Sequence, residues 1–345
     1  MTISFTQDTP HQRVVLGYGT LDQVASETVR LGSARALVIA TPGSGARLGQ
    51  RVVDLLGARS AGLHAEAVIH VPKAIAAAGL KAARDTQADG LIAVGGGSAI
   101  GLAKAIALET DLPILAVPTT YSGSEATPIY GTSEGDRKTT GRDNRVVPKT
   151  ILYDPELTLG LPAAVSAASA LNAIAHCVES LWIAERTPVT EALATEAMRR
   201  FGSYLEPVIA DGQNREARAQ CLIGAWLAGV VLTAGTALHH KLVHVLGGLG
   251  LPHAETHAII LPRVTRFNLE QAPDARARLT EALGGDPADR LLAMLETFPI
   301  PKRLRDVGLA QDRLAFVAEE TGKLNVKMPR PATAADVAAI LDDAY

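Results

Sequence analysis

The chain has 345 residues, and its 33 lysines and arginines against 36 aspartates and glutamates leave a net charge of −3. This balance gives no general attraction to nucleic acid or to an anionic membrane surface, so neither is expected as a partner. Hydrophobic residues make up 47% of the chain, it has only two cysteines, and its apolar runs fall short of the roughly 18 residues of a membrane span. We therefore expect a cytoplasmic, globular protein without a disulfide framework.

In chain order, the first 150 residues alternate short apolar runs with amphipathic stretches. Strands are predicted at residues 35–40, 67–70, 90–94 and 113–117, and helices at 46–56, 74–85 and 99–108. Strands that alternate with helices indicate crossover connections and a parallel sheet with both faces covered.

After Pro155 the pattern changes to long segments in which apolar residues recur at helical spacing. Helices are predicted at 163–184, 188–206, 215–235, 237–247, 274–285, 287–298, 310–321 and 334–343, which leaves residues 248–273 unassigned. We expect an α/β domain over residues 1–155 and an all-helical domain over residues 156–345.

Two polar loops each follow a predicted strand. The glycine loop, Gly95-Gly96-Gly97-Ser98, opens a helix, where free backbone N–H groups favour an anion such as a pyrophosphate. The threonine loop, residues 118–125, carries Thr119, Thr120, Ser122 and Ser124. The carboxyl ends of strands are where open α/β sheets bind ligands, so the loops indicate a dinucleotide site; two ordinary tight turns are the alternative.

Five histidines lie within 19 residues: His239, His240, His244, His253 and His257. On a helix, His240 and His244 share a face, and so do Asn172 and His176 on an earlier helix. Such a cluster suits either a metal cage or a proton-transfer centre, although a single histidine is usually an ordinary core or surface residue.

A run of basic residues falls in the segment that joins the two halves. It is either a solvated face or a site for an anionic substrate or a cofactor phosphate. Lys241, between His240 and His244, is a stronger candidate for binding an anion. The residues of the run are Arg137, Lys138, Arg142, Arg145 and Lys149. Cys177 and Cys221 are predicted to be small buried residues without a chemical role.

Together with Asp154-Pro155, Leu161-Pro162 and Pro252-His253, the two loops and the histidines resemble the iron-containing alcohol dehydrogenase family over essentially the whole chain. The resemblance implies a Rossmann-like domain for a nicotinamide dinucleotide and a helical domain, an architecture shared with dehydroquinate synthase-like proteins. It also implies a divalent metal held by one aspartate and three histidines. The corresponding positions here are Asn172, His176, His240 and His253.

Two residues depart from the family pattern. Asn172 replaces the metal-binding aspartate, which removes a negative charge that would compensate the cation. Gly101 stands where the family has an aspartate after its glycine loop. Both departures, with residues 137–143, 239–244 and 251–257, are similar to the maleylacetate reductase branch. Those enzymes reduce the carbon–carbon double bond of maleylacetate to 3-oxoadipate, late in aromatic-ring degradation, and no metal is expected on this reading.

The residue chemistry and the resemblance together give an expected role for each candidate residue. The expected catalytic residues are His244, His253, His176 and His240. The expected residues for NADH or NADPH are Thr41, Gly95, Gly96, Gly97, Ser98, Thr119, Thr120 and Ser122. The expected residues for a small dicarboxylate substrate are Lys241, Asn172, Ser124, Arg137 and Arg142. A homodimer is usual in this family.

Two alternatives stay open: a metal-dependent alcohol dehydrogenase in which Asn172 suffices, and a dehydroquinate synthase-like lyase. For the cofactor, residues 39–43 carry no carboxylate that would repel a 2′-phosphate, so NADPH is expected to be accepted as well as NADH.

Overall fold

The computed structural model describes residue 5 and residues 11–134, 137–324 and 329–345, with only the backbone of residues 137 and 138. The chain divides into two compact units between Leu161 and Pro162, six residues after the boundary predicted from the sequence. Within the described residues, no helix has the length and apolar character needed to cross a bilayer.

The first unit is built on a six-stranded parallel sheet. Its strands are β1 (Arg13–Leu16), β2 (Ala36–Ala40), β3 (Ser60–His64), β4 (Gly90–Gly95), β5 (Ile114–Pro118) and β8 (Thr150–Tyr153), in the order β1-β8-β5-β4-β2-β3. Its helices are α1 (Val24–Arg30), α2 (Ser44–Leu56), α3 (Lys73–Asp85) and α4 (Gly97–Thr110). A separate antiparallel pair consists of β6 (Ile129–Glu134) and β7 (Arg137–Arg142).

The inner strands are buried on both faces, as the continuous apolar runs predict. Leu37 and Ile39 of β2 lie in one apolar cluster with α4, and Val38 lies in a second cluster with Val52 of α2. β3 lies on one side of β2, whereas β4 and the strands that follow it lie on the other side, so the strand order reverses between β2 and β4. In open α/β sheets, ligands bind outside the carboxyl ends of the strands at such a reversal.

Two predictions for this unit are wrong. The strand predicted at residues 67–70 is absent, because His70 and Val71 have φ of 62° and 45°, outside the extended region. The strand is β3 instead. Its segment, Ser-Ala-Gly-Leu-His, has no β-branched residue, so pairing with β2 decides its conformation. Part of the basic segment predicted as a joining loop, Arg137–Arg142, forms β7, which pairs with β6 through Thr132 and Thr139, whereas Arg145 and Lys149 follow the strand.

The second unit is helical, as predicted. Its helices are α5 (Ala163–Ser180), α6 (Pro188–Ala210), α7 (Arg215–Leu232), α8 (Leu238–Gly248), α9 (His253–Leu269), α10 (Pro273–Leu283), α11 (Pro287–Thr297), α12 (Leu314–Gly322) and α13 (Ala334–Ala344). The unassigned segment contains α9, which packs against α5 and α8. Pro262 lies inside α9 and lowers its intrinsic helix propensity, so burial of the helix compensates for the proline.

Candidate active site

The glycine loop and the threonine loop meet at the carboxyl edge of the sheet, because β4 and β5 are neighbours. The backbone N–H of Thr119 donates to the carbonyl of Gly95 at 3.1 Å. A Cβ on Gly96 would lie 2.7 Å from Cγ2 of Thr120, so the close approach of the two loops requires glycine there. Both loops therefore leave the carboxyl ends of strands, as the sequence predicted, and the fold brings them into contact.

The start of α4 offers donors for an anion. Its N-cap, Gly96, has no capping side chain, which leaves the first-turn N–H groups for another acceptor. The hydroxyl of Ser122 is buried without a hydrogen-bond partner, and it lies 4.0 Å from where a Cβ on Gly97 would be. An unpaired hydroxyl beside an uncapped helix is a suitable environment for a phosphate group.

In the second unit, α5 presents Asn172, His176 and Glu179 on one face, since they are four and then three residues apart. All three side chains are buried. Glu179 accepts at 2.6 Å from Nδ1 of His240, and its oxygens accept the backbone N–H groups of Ala237 at 2.8 Å and His239 at 2.7 Å. Glu179 thereby caps α8, whose N-cap residue has no side-chain cap of its own, and orients the His240 ring.

The sequence did not predict a role for Glu179. The signal was its position, three residues after His176 on the same helical face. Its partners are about sixty residues away in the chain, so the hydrogen bonds themselves had no local signature.

Four histidines form a contiguous buried group. The rings of His176 and His240 are stacked with centroids 5.1 Å apart, and Nε2 of His239 lies 2.7 Å from Nδ1 of His257. Burial lowers the pKa of His176, His239 and His257 well below the ordinary value, and neighbouring histidines lower each further. These three imidazoles are therefore neutral at neutral pH.

Three polar atoms at the positions of the family's metal ligands are buried without a hydrogen-bond partner: Oδ1 of Asn172, Nδ1 of His176 and Nε2 of His240. Imidazole nitrogens and an amide oxygen are donors that a divalent cation accepts, and a histidine whose other nitrogen bonds a carboxylate is a common metal ligand. The donor types fit a metal ion. In the described part of the chain, no group of three or more His, Cys, Asp or Glu side chains is arranged so that it could hold a metal ion without a further ligand type such as the Asn172 amide.

His244 and His253 are half-buried, in contrast to the other members of the cluster. Lys241 is half-buried too and precedes His244 by three residues on α8. His253 begins α9, with its ring centroid 4.5 Å from that of His257. All three side chains are therefore partly exposed, and His253 contacts the buried His257.

Among the predicted basic residues, Arg145 has a structural role. Arg145 donates to Asp143 at 2.7 Å and to the carbonyl of Leu108 at 2.9 Å, so it holds the local backbone. Arg142 lies on β7, and the side chain of Arg137 is outside the described residues.

Both halves of the chain match models of known families: "Iron-containing alcohol dehydrogenase" over residues 10–155 and "Fe-containing alcohol dehydrogenase family, C-terminal" over residues 166–345. A maleylacetate reductase of Burkholderia cepacia is 44% identical over 336 residues, covering 96% of this chain and 95% of that protein. One from Sphingobium indicum is 43% identical, covering 99% and 97%. The crystal structure of maleylacetate reductase from Agrobacterium tumefaciens has a TM-score of 0.95 and 39% identity, covering 100% of this chain and 99% of that one.

These matches correct one expectation. From the replacement of the aspartate at position 172 by asparagine, we expected a site that works without a metal. Both matching family models are described as iron-containing, which points to a metal ion, so the expectation of a metal-independent site is wrong. The physical reason is that Asn172 keeps an oxygen donor and the three histidine positions are retained, so the substitution removes a charge but not the ligand set.

Proposed function

The chain belongs to the iron-containing alcohol dehydrogenase family, and from this membership and its relatives we infer that it is an oxidoreductase that reduces the carbon–carbon double bond of maleylacetate to give 3-oxoadipate with NAD(P)H. The observation that carries this conclusion is 43–44% identity to two maleylacetate reductases over nearly the whole of both chains. The buried imidazole cluster beside half-buried His244, His253 and Lys241 supports it.

The chemistry of the substrate sets what the site must do. Maleylacetate is an enone with two carboxylates. Addition of hydride at the alkene carbon beta to the ketone moves negative charge onto the ketone oxygen as an enolate. Protonation of the neighbouring carbon then completes the reduction. The site therefore needs a donor for the enolate oxygen, a proton source and cations for the carboxylates.

We assign the first two tasks to the histidines. His244 is half-buried and is not among the residues proposed to hold a metal ion, so it supplies the proton. His176 and His240, together with His253, would hold a cation that supplies positive charge for the enolate oxygen, and Glu179 orients the His240 ring. Lys241 binds one substrate carboxylate. The second carboxylate is assigned to three of the other predicted substrate residues, Ser124, Arg137 and Arg142, because Asn172 is placed among the residues that would hold the cation.

Two bound groups complete the proposed enzyme. A nicotinamide dinucleotide supplies the hydride when bound, and the residues proposed to hold it are Thr41, Gly95, Gly96, Gly97, Ser98, Thr119, Thr120 and Ser122. A divalent cation supplies a concentrated positive charge when bound, and Asn172, His176, His240 and His253 would hold it. We further propose that residues 1–155 and 156–345 act as the cofactor and substrate domains, and that the protein is a cytoplasmic homodimer.

A coupled assay tests the function directly. Purified protein is mixed with maleylacetate and NADH, and the loss of nicotinamide absorbance is followed together with formation of 3-oxoadipate. Oxidation of simple alcohols with NAD⁺ is measured in parallel. Reduction of maleylacetate at a rate far above alcohol oxidation supports the proposal. Alcohol oxidation without maleylacetate reduction refutes it.

The charge at position 172 gives a prediction about metal affinity. In Asn172→Asp, a carboxylate joins three imidazoles, and we expect the affinity for Fe²⁺ or Zn²⁺ to rise by roughly tenfold or more. Metal content is measured after dialysis against a graded series of chelator concentrations. Asn214→Asp, at the N-cap of α7, is the control with the same change of net charge. Equal metal retention in Asn172→Asp and the wild type would contradict the role of this position.

Cofactor choice gives a second prediction. β2 ends at Ala40, and Thr41, Pro42 and Gly43 follow it without a carboxylate. We expect kcat/KM for NADPH to lie within about 100-fold of that for NADH, a difference below ~2.7 kcal/mol. Steady-state kinetics with each cofactor at saturating maleylacetate measure the ratio. A larger preference for NADH would show that another group repels the 2′-phosphate.

A further inference from the structure

A fully buried lysine connects α4 to the end of the threonine loop. Lys104 is in the middle of α4, and its solvent exposure is 0%. Apolar residues surround it along the helix, among them Leu102, Ala103 and Ile106. Burial of a lysine destabilises the folded state unless its ammonium group is fully hydrogen-bonded, so the hydrogen-bond partners of Lys104 need to be identified.

Within the described residues, every acceptor of this ammonium group lies in one stretch of chain. Nζ of Lys104 donates to the carbonyls of Ser124 at 2.7 Å, Thr127 at 2.8 Å and Ile129 at 2.8 Å, and lies 3.0 Å from the hydroxyl of Thr127. These residues span the end of the threonine loop and the start of β6. An ammonium has three N–H donors for these oxygens, whereas a neutral amine has only two.

The same stretch is anchored on its other side by the sheet. Glu125 is fully buried and accepts from the hydroxyl of Tyr153 on β8 at 2.6 Å. Burial raises the pKa of Glu125 and lowers that of Lys104 to about 7, while the charge of each opposes the shift of the other. Lys104 and Tyr153 thus hold the end of the threonine loop from two different elements.

The helix that carries Lys104 also carries the glycine loop at its N-terminus. α4 begins at Gly97, about two turns before Lys104. The other end of the threonine loop is bonded to the glycine loop through Thr119 and Gly95. One rigid helix therefore sets the position of both loops that we propose for the dinucleotide.

We propose that Lys104 is a positioning residue for the nicotinamide dinucleotide. Its ammonium group fixes the threonine loop relative to α4, so that the threonine loop and the glycine loop can bind the same phosphate group. Lys104 does not touch the cofactor in this account. Its effect passes through Ser122 and the backbone of the threonine loop. The inference rests on the proposed use of NAD(P)H by this chain.

The test is the variant Lys104→Met, which keeps the length of the side chain and removes its donors. The dissociation constant of NADH is measured by fluorescence titration, and KM is measured for NADH and for maleylacetate. We expect the dissociation constant and KM for NADH to rise at least tenfold, with KM for maleylacetate changed less than about threefold. A dissociation constant within twofold of the wild type would overturn the proposal.

Controls separate this role from a loss of stability. Val52→Ala removes buried apolar volume from the other face of the sheet, and it should lower the melting temperature while leaving the dissociation constant of NADH unchanged. If Lys104→Met does not fold, Thr127→Val removes one polar partner of the ammonium and should raise the dissociation constant of NADH about threefold; no change in that variant overturns the proposal. A wild-type protein that fails to bind either cofactor would instead refute the proposed function.

Discussion

Replacement of His244 by alanine is expected to lower kcat for maleylacetate reduction by about 100-fold, because the variant loses a proposed donor to the enolate or to the carbon that is protonated. His244 is half-buried and is not among the proposed metal positions, so its loss reports on proton chemistry. KM for NADH should stay within about threefold of the wild-type value. Steady-state kinetics with both substrates varied measure these quantities.

The effect must be specific to this histidine. His11→Ala, at an exposed histidine of the first unit, is the control and should leave kcat unchanged. His244→Gln keeps a hydrogen-bond donor but has no group that can transfer a proton near neutral pH. Its kcat should lie between those of the wild type and the alanine variant. If His244→Ala retains kcat within about threefold, less than ~1 kcal/mol in the barrier, the assigned role is wrong.

Replacement of Glu179 by alanine is expected to lower both stability and turnover. The variant leaves Nδ1 of His240 and the backbone N–H groups of Ala237 and His239 without their acceptor in a buried environment. We expect the free energy of unfolding to fall by about 2–4 kcal/mol, measured in urea. We also expect kcat to fall by at least about tenfold, because the His240 ring loses its orienting partner.

A second variant separates orientation from general destabilisation. Glu179→Gln keeps one acceptor oxygen, so it should recover part of the stability while His240 loses its charged partner. Glu206→Ala, on exposed α6 surface, is the matched control and should alter neither stability nor kcat measurably. Wild-type kcat in Glu179→Ala, measured where the variant is fully folded, would refute the orienting role.

The α/β half and the helical half that follows it could be predicted from the sequence, because helices and buried strands have local sequence patterns. The apolar runs of β2, β4 and β5 and the helical periodicity after residue 163 each predicted the correct element. Five strands were not predicted: β1, β3, β6, β7 and β8. β3 and β7 have weak intrinsic strand character, and pairing with β2 and β6 decides their conformation. α9 was missed because Pro262 interrupts its sequence signal, although packing stabilises the helix.

The substitution at position 172 shows where inference from one residue failed. The sequence correctly located Asn172 beside His176 on a helical face. The conclusion that the metal was lost gave too much weight to one charge, and the two iron-containing family models contradict it. The buried, unpaired atoms of Asn172, His176 and His240 show that a set of donors remains.

By itself, the sequence determined the two-part organisation, the paired loops at the strand ends and the residue types of the histidine cluster, because periodicity, turn chemistry and short motifs depend on neighbours in the chain. Only the tertiary structure decided which partners surround the buried charges. Glu179 meets α8 across about sixty residues, and Lys104 meets the end of the threonine loop across 20 to 25. A buried polar group is stabilised by whichever donors or acceptors the fold brings to it, and chain spacing does not specify those contacts.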